Sequence, residues 1–182
     1  MGKLGTHTIF GLLLAIIFSS CAEKQDFDQY DDLSITPTYE ASIVYLETPE
    51  EVINASNGAN FYSQDFNFDA FAEDIFSERV LDGVLTYEVE NTTSKRLDLI
   101  IEFLDEAGNV LDTESFSINP APTAVLVREI AYGNAGRSID IIRNTSGIRL
   151  SGTNLSDSSS TSTLPDPMVT LKSSGKFRVR IK

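Results

Sequence analysis

The only thiol in the chain belongs to Cys21, which follows a short apolar stretch and two small residues. The apolar stretch, Ile9 to Phe18, lies behind one early cation, Lys3. It is too short to span a bilayer, which takes about 20 apolar residues, and it has the roughly 7–15-residue length of the apolar region of a secretory signal. Ser19 and Ser20 are small residues of the kind that a signal peptidase accepts. The spacing therefore predicts export.

The cysteine at this boundary resembles the lipobox of bacterial lipoproteins, in which the thiol is diacylated, the signal is cut just before it and the new amino terminus is acylated. Phe18 stands where that motif usually has leucine. The resemblance implies a signal peptide over residues 1–20 and lipidation at Cys21. The alternative is an ordinary signal peptide followed by an unmodified thiol.

Residues 21–38 are polar and acidic and show neither a helical nor an alternating apolar pattern, so we expect a tether. The run Ala22 to Asp26, just after the cysteine, is similar to the export signal of surface-displayed lipoproteins of the Bacteroidota. The resemblance implies an outer-membrane lipoprotein that faces the periplasm or is exposed at the cell surface. Its membrane partner would be reached through the acylated Cys21.

The composition of residues 21–182 excludes several kinds of chemistry. They contain no histidine, no tryptophan and no cysteine other than Cys21, since His7 lies in the signal. There can be no Ser-His-Asp or Cys-His nucleophile, no disulfide framework, and no zinc or copper site built on imidazole or thiolate. Only carboxylate, hydroxyl and amine chemistry is left. We predict no catalytic residue, no metal ligand and no cofactor, and we expect the protein not to be an enzyme.

Charge is distributed unevenly along the chain. Without residues 1–20 the chain keeps 27 acids and 13 bases, a net charge of −14, which disfavours binding to nucleic acid or to anionic headgroups. Residues 22–114 hold 23 acids and 4 bases, whereas residues 115–182 hold 4 acids and 9 bases. We expect these two parts to lie on opposite strands of one domain, 39–182, and to neutralise each other across a sheet.

Oxygen-bearing side chains alternate with two phenylalanines from Asp65 to Asp69, as oxygen ligands do at the start of an EF-hand loop. Ala70, however, stands where that loop needs glycine, and Phe76 stands where it needs a bidentate glutamate. A strand with the phenylalanines inside and the acids in water explains the same spacing, so we favour the strand over a calcium site.

Alternation of apolar and polar residues is the clearest fold signal. It runs over residues 84–90 and again over 97–104, on either side of the polar turn 91–94, and it predicts two half-buried antiparallel strands. The glycine-containing segment 105–109 predicts a hairpin into a third strand, 110–118, nearer an edge.

The sequence of residues 87–93 and 99–111 resembles that of immunoglobulin-like and water-stress-type β-sandwich domains. In such domains a strand ends at Asn-Thr or Asn-Pro and the next two strands form a hairpin. The resemblance implies an immunoglobulin-like fold. The spacing of the strands, with two or three short helices among them, also predicts a mainly β fold, a single antiparallel β-sandwich. The resemblance transfers no functional residues, because function belongs to sites and not to folds.

A short helix is predicted after the strand 40–46. Thr48 would cap it, Pro49 would take its first position and Glu51 would complete a capping box, with a left-handed stop at Asn57. A second short helix would be capped by Asp69 and would carry an apolar stripe of Phe71, Ile75 and Phe76. Residues 138–144 predict a third short helix, with a strand as the alternative. The remaining expectations are a strand over 124–130, an extended segment 147–151, a solvated loop 156–163 and a hairpin of 168–171 with 176–182 around Ser173–Gly175.

The last strand has two faces: Phe177, Val179 and Ile181 lie on one, and the cations lie on the other. These cations are Lys176, Arg178, Arg180 and Lys182. We expect the apolar face to be buried and the cations to lie outside. The last strand would then pair with, or lie beside, the acidic strand that carries Glu88 and Glu90 or the one that carries Asp98 and Glu102.

Two function hypotheses remain. The first is a lipid-anchored, non-catalytic binding or accessory module of an outer-membrane assembly, which docks an envelope protein or a glycan through loops of the sandwich. The second is a lipid-anchored hydrolase that acts on envelope or extracellular glycans with carboxylates. The second needs two acids that face one concave pocket.

Overall fold

The computed structural model describes residues 33–181 except 58–59, 69–70, 72 and 135. The predicted signal peptide, Cys21 and most of the predicted tether lie outside these residues. From Ile35 onward the described residues belong to one compact unit. None of the helices in this part of the chain is long and apolar enough to cross a membrane.

The described residues contain eight strands and three short helices. The strands are β1 (Thr38–Pro49), β2 (Asn60–Asn67), β3 (Val80–Asn91), β4 (Leu97–Leu104), β5 (Val110–Ile118), β6 (Leu126–Tyr132), β7 (Gly147–Asn154) and β8 (Met168–Val179). The helices are α1 (Glu50–Ala55), α2 (Asp74–Ser77) and α3 (Ile139–Asn144). The predicted mainly β fold with two or three short helices is confirmed.

The strands form two antiparallel four-stranded sheets, in the orders β1-β8-β3-β6 and β2-β7-β4-β5. Only β4 and β5 follow each other within one sheet, and every other connection crosses between the sheets. Eight strands in this double-sheet arrangement form a jelly roll. Immunoglobulin domains have a different strand order. The chain therefore shares their sandwich architecture and not their topology.

The alternation that predicted β3 and β4 does place their apolar side chains in the core. Leu85, Val89, Leu99 and Phe103 are all buried between the sheets. β3 and β4 do not pair with each other, however, because the turn between them carries the chain from one sheet to the other. The hairpin of β4 with β5 is confirmed, and β5 is an edge strand as predicted.

The predicted hairpin around Ser173–Gly175 is wrong, because β8 runs unbroken between β1 and β3. The small residues leave room for atoms of Val44 and of the Phe177 ring close to the backbone of β8, and they do not form a turn. The Ser173 hydroxyl accepts a hydrogen bond from the Val44 amide at 3.0 Å, beside a bulge in β1. A Cβ atom on Gly175 would lie 2.5 Å from the Phe177 ring.

The predicted neighbour of the last strand is confirmed, since β8 pairs with β3. The cation opposite Glu88 is Lys172, however, and not one of the four predicted cations. Arg178 binds Asp82, an acid for which no partner was predicted. Ile181 is 48% exposed, so its predicted burial is wrong; the strand ends at Val179, before it.

Ion pairs connect the acidic and the basic parts of the chain. Of the eight pairs between described residues, six join an acid of residues 22–114 to a base of residues 115–182. Three of these six join the edge strand β5 of one sheet to the edge strand β6 of the other sheet and to the residues just after β6. In these pairs Arg128 and Arg137 bind Asp112 and Glu114. The neutralisation expected from the charge distribution therefore occurs both within a sheet and between sheets.

The helices depart from the prediction at their first residues. α1 begins at Glu50 with Pro49 as its N-cap and has no side-chain cap, because Thr48 is a buried residue of β1. The predicted capping box is therefore wrong. The stop is confirmed, since Asn57 has a φ of 51°. α3 is a helix as predicted, and the Ser138 hydroxyl caps it by accepting from the Asp140 amide.

α2 is shorter than predicted and does not form the predicted stripe. Ile75 is 73% exposed, and the helix begins after Glu73. Phe71 and Phe76 do pack as expected, but they pack on Phe177 of β8, with ring centroids 5.1 and 5.3 Å away. The predicted cap, Asp69, lies outside the described residues.

The loops of the sandwich fall at two ends. We call the end where the chain enters β1 the near end; it also holds the β2–β3, β4–β5 and β6–β7 connections and the end of β8, and the Val179 amide donates to the Pro37 carbonyl there. The far end holds α1 and the β3–β4, β5–β6 and β7–β8 connections. A strand as long as β1 separates the two ends by roughly 40 Å.

Replacing Phe177 by alanine should lower the free energy of unfolding by about 3–5 kcal/mol, because the ring fills the near end between Phe71 and Phe76. Urea unfolding of Phe177→Ala measures the loss. The matched control is Ile181→Ala, two residues on and half exposed, which should change stability little. Equal losses in both variants would contradict this description of the near end.

Candidate functional site

Two open clefts lie at opposite ends of the sandwich. The far-end cleft has a volume of about 650 Å³ and is lined by Pro49, Glu50, Glu51, Asn54, Thr161, Asp166, Pro167 and Met168. The near-end cleft has a volume of about 900 Å³ and is lined by Ser77, Glu78, Asp105, Glu106, Ala107, Leu111, Arg143, Asn144 and Ser146. The far-end cleft adjoins a network of buried charges, which makes it the better candidate for a binding site.

Glu50 is the first member of this network. Its side chain is only 2% exposed, although it is the first residue of α1. One carboxylate oxygen accepts hydrogen bonds from the Ser94 amide and hydroxyl, and the other accepts from the Ser162 amide at 2.8 Å. Burial would raise the pKa of this carboxyl, but these hydrogen bonds and the nearby charge of Lys95 outweigh burial and lower it. Glu50 is therefore a fixed anion.

Lys95, in the β3–β4 connection, has no exposed surface at all. Its Nζ atom donates to the Asp157 carbonyl at 3.0 Å, to the Asp157 carboxylate at 3.3 Å and to the Ser160 hydroxyl at 2.8 Å. A lysine beside a serine hydroxyl can act as a base in some hydrolases. Here, however, three acceptors receive the three protons of the ammonium group, so Lys95 is held as a cation with a structural role.

Asp157 completes the charge pair from the β7–β8 connection. Its carboxylate accepts from the amides of Ser159 and Ser160, at 2.8 and 2.5 Å, and from the Ser160 hydroxyl at 2.9 Å. The amide hydrogen bonds, with help from the Ser160 hydroxyl and Lys95, lower the pKa of this carboxyl. Asp157 thus shapes its own loop and neutralises Lys95 at the same time.

Asn91 extends the network to the last far-end connection. Its Nδ2 atom donates to the carbonyls of Lys95 and Asn119, at 2.8 and 2.9 Å, and its Oδ1 atom accepts from Thr93. We call Glu50, Asn91, Lys95 and Asp157 the far-end network. Because it joins α1 to the β3–β4, β5–β6 and β7–β8 connections, one wall of the far-end cleft is held in a single arrangement.

The open side of the cleft combines acids with apolar surface. Glu51 and Asp166 are exposed, and Asp166 has the left-handed φ of 45° that aspartate tolerates better than most residues. Pro49, Pro167 and Met168 supply the apolar surface. Asn54 donates to the Ser160 carbonyl at 3.2 Å, and its own side-chain oxygen has no donor partner. The surface therefore offers mainly acceptors and apolar contacts.

The cleft does bring three carboxylates, those of Glu50, Glu51 and Asp166, to one concave surface, as the hydrolase hypothesis requires. Glu50 is unsuited to either catalytic role. An acid catalyst needs a raised pKa, whereas the pKa of Glu50 is lowered, and a nucleophile needs a free oxygen, whereas both of its oxygens already accept hydrogen bonds.

The sequence suggested Cys21 as a lipidation site and weighed residues 65–69 as a calcium site. Cys21 and Asp69 are outside the described residues. Asp65 lies in β2 as the strand interpretation predicted, and it binds the Arg149 guanidinium at 2.8 and 2.9 Å. No group of three or more potential metal ligands occurs within the described ranges. The far-end network was not predicted, and its one sequence signal is Lys95, one of four bases among the 23 acids of residues 22–114.

No protein-family model matches the chain, and no curated protein matches it. Among solved structures, it is similar to the infectious bursal disease virus VP2 subviral particle, with 14% identity, a TM-score of 0.35 and coverage of 82% of this chain and 33% of that one. It is also similar to a structure described as Bacillus endospore appendages that form disulfide-linked pili, with 7% identity, a TM-score of 0.38 and coverage of 82% and 92%.

A third similar structure is the Triatoma virus empty capsid, with 12% identity, a TM-score of 0.38 and coverage of 76% of this chain and 87% of that one. The chain spans about a third of the length of the bursal disease virus proteins it matches. These TM-scores are low, and the assignment of a jelly roll rests on the strand order of the chain itself.

Glu50→Gln should destabilise the protein by about 1–3 kcal/mol, because the amide nitrogen of glutamine would face donors of Ser94 or Ser162 and leave one of them unsatisfied. Urea unfolding measures this. Glu51→Gln, one residue on and exposed, is the control and should stay within about 0.5 kcal/mol of the wild type. A neutral Glu50→Gln variant would contradict the role of the network.

Acid should weaken the far-end network. The folded-state pKa values of Glu50 and Asp157 lie below their ordinary values, so their contribution to stability is complete above the ordinary values and is lost as the pH falls through the folded-state values. Asp157→Asn should therefore be less stable than the wild type at neutral pH, and the gap should close at acidic pH. Urea unfolding over a pH series tests this, and a gap that persists in acid would contradict it.

Proposed function

We propose that this protein is a lipid-anchored, non-catalytic binding module of the bacterial cell envelope, fastened to the outer membrane through Cys21. The supporting observation is the position of the far-end cleft relative to the point where the chain enters the sandwich. The chain enters β1 at Thr38, at the near end, and the cleft begins at Pro49, where β1 finishes. A module anchored by its amino terminus would thus carry the cleft on the side away from the lipid.

The tether hypothesis agrees with this placement. Residues 35–37 already run along the end of β8, with the Ile181 amide donating to the Ile35 carbonyl at 2.9 Å. The segment between Cys21 and Ile35 can therefore extend at most about 45 Å from the near end. The net charge of −14 would hold the domain off anionic headgroups. The far end would then face the periplasm or the cell exterior.

The partner class that suits this arrangement is a protein or a glycan of a larger outer-membrane assembly. The far-end network supports a binding role because it orders one wall of the cleft before any ligand arrives, which lowers the entropy cost of binding. The hydrolase alternative is less well supported, because the buried acid of the cleft, Glu50, is a fully hydrogen-bonded anion. We further propose that the protein is an outer-membrane lipoprotein of the Bacteroidota type.

Lipid labelling tests the anchor. Cells grown with a clickable fatty acid should label the wild-type protein and leave Cys21→Ser unlabelled, and only the wild type should sediment with membranes. Several acyl chains at about 0.8 kcal/mol for each buried CH₂ anchor a protein durably, whereas one chain does not. Cys21 is the only cysteine, so no other thiol can take its place. Equal labelling of both proteins would overturn the lipoprotein proposal.

A further inference from the structure

We propose that the far-end cleft binds the lysine or arginine side chains of a basic segment in a partner protein. This inference rests on the proposed function in one respect, that the far end is a binding surface. It names the chemistry of the ligand, which the fold alone does not indicate. Three features of the cleft support this ligand: its charge, its hydrogen-bond acceptors and its apolar surface.

The charge of the cleft selects a cation. Its lining includes the carboxylates of Glu50, Glu51 and Asp166 and no lysine or arginine. Lys95 lies behind Glu50 and offsets part of its charge, but Lys95 is itself paired with Asp157 and is not exposed. The two exposed acids, Glu51 and Asp166, form no ion pair with any described residue. An anionic ligand would be repelled, whereas an ammonium or guanidinium group would be attracted.

Hydrogen bonding selects the same ligands. Ammonium and guanidinium groups only donate hydrogen bonds, and carboxylates only accept them. The acceptors that face the open side of the cleft are the exposed carboxylates of Glu51 and Asp166, whereas the side-chain oxygen of Asn54 is buried and has no donor.

The apolar surface distinguishes a basic side chain from an inorganic cation. Lysine and arginine lay their aliphatic stems along apolar surface while the charged group stays at the polar rim. Pro49, Pro167 and Met168 provide such a surface beside the acids. The volume of about 650 Å³ lies within the range of about 300–1,000 Å³ usual for ligand sites, so the cleft has room for neighbouring residues of a peptide.

Titration with a tetralysine peptide, blocked at both termini, tests the inference on the purified Cys21→Ser chain at low ionic strength. We expect saturable binding with amide chemical-shift changes confined to α1 and residues 161–168, and none with a blocked tetraglutamine peptide. The double variant Glu51→Gln with Asp166→Asn should bind about tenfold more weakly, because it removes two exposed charge pairs. Its matched control, Glu106→Gln with Glu129→Gln, removes two exposed acids outside the cleft.

Three results would overturn the inference. The first is no saturable binding by the unaltered cleft, and the second is an equal loss in the matched control, which would mean general attraction to an acidic protein. The third is spermidine binding as tightly as tetralysine, which would assign the cleft to small polyamines and not to a protein segment. None of these results depends on acylation of Cys21, so the lipid anchor stands or falls separately.

Discussion

The burial of the Lys95 ammonium is the constraint on which the far end of the sandwich depends. A buried charge is tolerated only when it is paired and hydrogen-bonded, so the β7–β8 connection has to return over the β3–β4 connection and deliver Asp157 and Ser160. Ser94, next to Lys95, then brings Glu50 and α1 into the same network. Removing Asp157 would leave the buried Lys95 ammonium without its counter-ion, so the far-end loops hold one another in place.

The two ends of the domain differ in what they bury, although exposed ion pairs such as that of Arg178 with Asp82 also hold the near end. At the near end Phe71, Phe76 and Phe177 pack their rings together, and burial of apolar surface is non-directional. At the far end the bonds run between charged groups and amides, and such bonds require particular distances and angles. A surface that must present the same arrangement to each ligand is better built on the second kind of contact. The buried side chains of Glu50 and Lys95 give the far end contacts of this kind.

Much of the fold could be predicted from local patterns. Alternation showed which side chains of β3 and β4 face the core, and the glycine-containing segment before β5 showed a hairpin. Alternation reports the face of a strand and not its partner, so it did not reveal that β3 and β4 belong to different sheets. Ser173–Gly175 has the composition of a turn, but its small residues are needed where Val44 of β1 approaches Ser173 and where the Phe177 ring of β8 itself lies against Gly175.

The far-end network could not be predicted from the sequence for a related reason. Glu50 and Ser94 lie 44 residues apart, and Lys95 and Asp157 lie 62 apart, so no period or motif connects them. Thr48 to Glu51 suggested a capping box because only neighbouring partners can be considered without a topology, whereas Glu50 is used by two distant loops. The jelly-roll order brings α1 and three connections to one end, and only once that order is known can Lys95, one of four bases in residues 22–114, be recognised as a counter-ion for this end.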